Sequence, residues 1–153
     1  MKPLHAERAW RSTQPAEHVW ATALDFASYR SWWPFLIEFD PPPLQTGASA
    51  RAVVRAPAGY RLRLDLALVD VDAPRRAVID VTGDIVGHCT VSVAPEGDGS
   101  SVGLAWSLAP DRQLLRVLGV LARPILVHGH DWILDEGLRR CLDATGLDLR
   151  PLT

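Results

Sequence analysis

The stretch YRLRLDLALVDV, Tyr60 to Val71, decides the fold. Tyr60, Leu62, Leu64, Leu66 and Leu68 alternate with Arg61, Arg63, Asp65 and Ala67, the period of a strand with one buried and one wet face. Arg51, Arg61, Arg63 and Asp65 are then expected on a solvated face, with ion pairs that contribute little. The same period recurs on both sides, in Phe35–Asp40, Ser49–Ala56, Arg76–Thr82, Ile85–Ala94 and Ser101–Ala109. In the last of these Val102, Leu104, Trp106 and Leu108 share one face. The separators are turn chemistry: TG at 46–47, PAG at 57–59, DAP at 72–74, GD at 83–84 and EGDG at 96–99. Connections this short join neighbours as antiparallel hairpins, so a six-strand meander with one apolar face is predicted, and that face needs a cover.

The cover lies downstream. Asp111 to Thr145 has helical periodicity, with a kink or break expected at Pro124 and a stop at Gly146. Leu126, Val127, His130, Ile133, Leu134, Gly137, Leu138 and Cys141 fall on one stripe, so a histidine sits among apolar neighbours. Upstream, His5–Arg11 alternates like a strand, and Ser12 and Thr13 offer cap oxygens. From Pro15 the spacing of Ala16, Val19, Trp20, Ala23 and Leu24 is helical, and a second helical turn over Tyr29–Trp33 is closed by Pro34. The expected fold is α+β, one domain over residues 1–153: a curled antiparallel β-sheet wrapped around a long C-terminal helix, with two short helices after the first strand.

A chain of 153 residues buries enough surface to be stable without disulfide or structural metal. Its 48% hydrophobic and 22% charged content is that of a globular domain. Sixteen basic against eighteen acidic residues give a formal charge of -2, which speaks against nucleic acid as a partner. Cys89 and Cys141 have no zinc-site spacing, and MKPLHAERAW lacks the apolar stretch of a signal peptide, so a cytoplasmic location is expected. Leu114–Leu134 is interrupted by Arg116, Arg123, Pro124 and Asp131 and cannot span a bilayer. All basic residues but Lys2 are Arg and Asn is absent, a coding bias that points to a bacterial source. The glycine-rich GDGSSVG at 97–103 lies between two strands, with no helix N-terminus for a phosphate, and no G-x-S-x-G elbow occurs, so no cofactor is expected.

The segments STQPAEHVWATALDFASYRSWWP (12–34), GDIVG (83–87), SVGLAWSL (101–108) and RPILVHGHDWILDEGL (123–138) resemble the START-like, helix-grip superfamily, also termed SRPBCC. Within it they are most similar to the polyketide cyclase/dehydrase-like and lipid-transport-like branch. The resemblance implies an elongated apolar cavity between the sheet and the C-terminal helix, holding a lipid, polyketide, quinone or other aromatic molecule. Relatives of this kind include carriers, sensors and cyclases or dehydratases, so the expected partner is a hydrophobic small molecule and the expected state a monomer or homodimer.

His130 either has one buried partner and is structural, or faces the cavity and exchanges protons with a bound carbonyl or phenol. It matches the H-x-x-[I/V]-x-x-x-G pattern of the resemblance together with Ile133 and Gly137. The predicted ligand-binding set is Trp33, Tyr60, Leu64, Trp106, Leu126, His130, Ile133, Leu134 and Gly137, and the aromatic members have ordinary core packing as their alternative. Trp132 lies beside the stripe and is expected at the cavity edge. For catalysis His130 would be the acid/base, with Tyr60 or Asp84 assisting, although a lone carboxylate in a β-turn such as Asp84 is usually turn chemistry. His128 and His130 point about 200° apart on a helix and cannot share a metal. His88 is expected to face solvent. Two functions compete: a module that binds an apolar molecule, and a cyclase/dehydrase-type enzyme. A third reading, action by protein contact, would need an exposed apolar patch.

Overall fold

The computed structural model describes residues 3–56, 59–119 and 122–152, with the side chains of residues 122, 123, 125 and 126 outside that description. Strand β1 (Leu4–Ser12) leads into helix α1 (Ala16–Ala23), a 3-10 turn at Phe26–Ser28 and the single helical turn α2 (Tyr29–Trp32). The meander follows as β2 (Leu36–Phe39), β3 (Ser49–Arg55), β4 (Arg61–Asp72), β5 (Arg76–Gly83), β6 (Ile85–Glu96) and β7 (Gly99–Pro110). Helices α3 (Arg112–Leu118) and α4 (Ala122–Thr145) and the short β8 (Arg150–Pro151) complete the order. The strands form one antiparallel sheet in the order β2-β3-β4-β5-β6-β7-β1-β8, curled around α4 in a helix-grip fold.

The six meander strands form where the period of two places them, extended at β6 and β7 by a residue or two. Leu62 and Leu68 are buried while Arg61, Arg63 and Asp65 are exposed, as alternation requires. Val69, at an outward position, is 43% exposed as expected, but the rule fails next: a bulge between Leu68 and Asp70 leaves Asp70 exposed and turns Val71 inward. Only glycine fits at position 87 of β6, because at its φ of 157° a Cβ would lie 1.9 Å from the Ser107 carbonyl oxygen on β7.

Two expectations need correction. The predicted helix over 111–145 is two helices, and the break is at Gly119 (φ 61°), not at Pro124. Pro124 instead falls in the first turn of α4, where its missing N–H has no intrahelical acceptor to lose. Asp111 caps α3 through the Leu114 amide at 2.8 Å. The cap of α1 is also different. Pro15 holds that position without a side-chain bond, since the Ser12 and Thr13 hydroxyls both donate to Asp148 beyond the end of α4. Gln14 strengthens the same tie, accepting from the Asp148 amide and donating to the Gly146 carbonyl.

The solid core fills one half of the grip. Trp10, Val19, Trp20, Leu24, Phe26, Val93, Val102 and Cys141 pack α1 and the end of α4 onto β1, β6 and β7. A second, smaller cluster of Leu36, Ala52 and Val54 lies under α2. Between the two clusters the packing opens.

Candidate functional site

The opening is a cavity of about 220 Å³ between the middle of α4 and the concave face of the sheet. Val54 and Ala56 line it from the end of β3, Tyr60, Leu62 and Leu64 from β4 and its lead-in, Val81 from β5, Ile85 from β6 and Leu108 from β7. Gly129, His130, Ile133 and Leu134 close it from α4, and Trp33 closes the end beneath α2. Alternation explains the sheet side: Leu62, Leu64 and Leu108 occupy inward positions of long strands. The α4 side follows from three-and-four spacing, which puts residues 130, 133 and 134 on one face.

Among the described lining residues Tyr60 and His130 carry the titratable groups. Burial, foremost, holds the pKa of His130 below its ordinary 6.5; Asp131 pulls it back upward and Arg8 pushes it down. The imidazole is thus neutral at pH 7, with one nitrogen to donate and one to accept. Its ring packs on Trp106, centroids 4.8 Å apart and planes at 35°, and its Nδ1 lies 4.0 Å from Asp131 Oδ1. Burial also raises the Tyr60 pKa, so its hydroxyl stays protonated.

Of the residues expected at the site, Trp33, Tyr60, Leu64, His130, Ile133 and Leu134 come together in the cavity wall. Trp106 is 7% exposed and stands behind His130, supporting the ring without lining the space. Gly137 lies one turn beyond the lining and makes room for Trp33: a Cβ there would be 3.0 Å from the indole Nε1. That Nε1 is buried and has no hydrogen-bond partner among the described residues. Leu126 falls outside the described side chains. Asp84 is a correction. Its carboxylate accepts from the Arg63 amide at 2.7 Å, and its own amide donates to the Arg63 carbonyl, so it pins the β5–β6 turn to β4 and does not line the cavity. His88 and His128 are exposed, away from His130. Trp132 is 42% exposed and packs edge-on against Phe35 at 4.8 Å, closing the seam between α4 and the chain entering β2.

The wall residues Val54, Ala56, Val81, Ile85 and Gly129, and Arg8 behind His130, were not singled out from the sequence. Arg8 carried a signal nonetheless: it shares the inward parity of β1 with Leu4, Ala6 and Trp10, where a charge needs a partner.

Solved structures share this architecture. A protein from Thermus thermophilus, TTHA0849, aligns over 93% of this chain and 98% of its own with a TM-score of 0.60 at 22% identity. A conserved protein from Geobacillus kaustophilus aligns over 96% and 99% with a TM-score of 0.75 at 9% identity. The di-domain ARO/CYC BexL from the BE-7585A biosynthetic pathway aligns with a TM-score of 0.71 at 18% identity, covering 92% of this chain and 49% of that one. At these identities the likeness is one of fold. No curated protein matches the chain. A family model does, over residues 4–144, which takes in both the meander and α4. The chain belongs to the polyketide cyclase/dehydrase and lipid transport family.

Proposed function

We propose that this protein binds a compact, ring-containing hydrophobic molecule carrying at least one oxygen, held between the sheet and α4. The observation that carries this reading is a cavity walled by aliphatic and aromatic side chains in which Tyr60 and His130 supply the titratable polar groups. A space of about 220 Å³ exceeds the roughly 150 Å³ that accommodates benzene and falls short of the roughly 300–1,000 Å³ of drug-sized sites, which favours one or two rings. The test is titration with 1-naphthol by calorimetry or tryptophan fluorescence. The expected Kd is about 10–100 μM, from roughly 0.5–0.6 kcal/mol per heavy atom. Absence of saturation in the millimolar range overturns the reading.

A second reading, a cyclase/dehydrase-type enzyme, is favoured by the neutral imidazole in the wall. His130 would be the general acid/base for an aldol cyclisation or dehydration, with the Tyr60 hydroxyl assisting at a developing enolate oxygen. BexL and the similarly described StfQ of the steffimycin pathway are ARO/CYC proteins of biosynthetic pathways, which suits this chemistry. His130→Gln should lower turnover of an aryl polyketone about 10²–10⁴-fold while leaving naphthol affinity within a few-fold. Full turnover in that variant removes the mechanism.

A further inference from the structure

Arg8 occupies an inward position of β1 and is only 30% exposed, yet it lines no cavity with His130. Its guanidinium reaches across to α4, where Nη2 lies 3.8 Å from Asp131 Oδ1 and Nη1 bonds Asp135, one helical turn further on. The same guanidinium carbon stands 5.9 Å from the centroid of the Trp106 ring. Trp106 in turn packs on His130. The oxygen of Asp131 that faces Arg8 is also the one 4.0 Å from His130 Nδ1. Arg8 therefore touches both supports of the imidazole, the ring behind it and the carboxylate beside it.

The geometry points to Arg8 as a positioning residue for His130, fixing the ring through Trp106 and Asp131 so that Nε2 is the nitrogen offered to the bound molecule. This deepens the proposed function and rests on it. A carboxylate near Nδ1 favours the tautomer with the proton on that nitrogen. An unrestrained Asp131 would also draw a second proton onto the ring, ending its capacity to accept. Arg8 engages that carboxylate and adds its own positive field, and both effects oppose protonation. The groups acting on His130 are thus Arg8 from β1, Trp106 from β7 and Asp131 on α4, with Asp135 as second anchor of Arg8; Tyr60 lines the same cavity.

The test is an NMR titration of the His130 ring in wild type, Arg8→Met and Arg8→Lys, together with 1-naphthol affinity at pH 7. Met keeps the apolar stem and loses the charge, so the His130 titration should move upward by about half a pH unit or more. Lys keeps the charge and loses the fork, so its midpoint should stay near wild type while the ring signals broaden or shift. An unmoved midpoint in Arg8→Met, or equal displacement in both variants, overturns the role of Arg8. If Arg8→Met does not fold, Arg8→Gln provides the same readout with a polar stem: the midpoint should rise, and an unchanged one overturns the proposal. Failure of wild type to bind naphthol strikes the cavity reading and leaves the titration result to judge Arg8 separately.

Discussion

Trp33 is the residue whose chemistry is least satisfied. Its buried Nε1 has no partner among the described residues, and a lone buried donor costs about 1–3 kcal/mol. Trp33→Phe removes that donor together with part of the ring, so its loss of stability in urea should be about 1 kcal/mol or less, against the roughly 3–5 kcal/mol typical of deleting a buried aromatic side chain outright. Gly137 meets the same indole. In Gly137→Ala the gain of about 1 kcal/mol in helix propensity is set against crowding at 3.0 Å, so stability should change little. Because Trp33 is part of the cavity wall, a displaced indole reshapes that end of the space, and naphthol affinity should fall several-fold by fluorescence titration. The sequence points to both Trp33 and Gly137 as site residues, but neither the orphaned indole N–H nor the contact between the two is legible there, because they depend on α2 meeting α4. His130, by contrast, stood out as a polar group within an apolar stripe.

At the scale of elements, the meander and the helical flanks were legible because hydrophobic period is a local property. Tyr60–Val71 announces its own buried face up to Leu68, and only the bulge that follows, a matter of pairing with β5, reverses the faces of Asp70 and Val71. The helix break falls at Gly119 and not at Pro124, because a proline in the first turn of a helix is tolerated while a glycine at φ 61° ends one. Asp84 differs: in a sequence a turn carboxylate and a catalytic one look alike, and the bond it accepts from the Arg63 amide agrees with the turn reading. The close pairing of β6 with β7 depends on Gly87. Gly87→Ala forces a Cβ into the Ser107 carbonyl at a φ that L residues avoid, and it should destabilise the protein by roughly 3 kcal/mol or more, read as a lower urea midpoint.

For the whole molecule, the titratable groups predict a stability profile that falls on both sides of neutrality. His130 is held below 6.5 by burial, so the unfolded chain binds more protons in that window and stability declines as pH drops through 6.5 and below. Glu136, through Arg139, and Asp148, through Ser12, titrate below their ordinary 4.5 and 3.8, so a second decline follows at lower pH. On the alkaline side burial pushes the Cys89 thiol up to about 11 from 9.0, so stability present below pH 9 is lost as pH rises toward 11. Urea midpoints from pH 3 to 11 should trace this shape, and His130→Gln should flatten the shoulder near pH 6. Among the described residues no helix is long and apolar enough to cross a membrane. The sequence by itself determined the order of elements, the inward faces of the strands and the histidine on the covering stripe, because each follows from periodicities of two or 3.6 within a single segment. Only the tertiary structure decided that the space beside His130 stays open, that Trp106 and Arg8 stand behind the ring and that Asp84 does not. Those relations join β1, β4, β7 and α4 across the sheet, and no periodicity along the chain encodes which side chains meet when a curled layer closes on a helix.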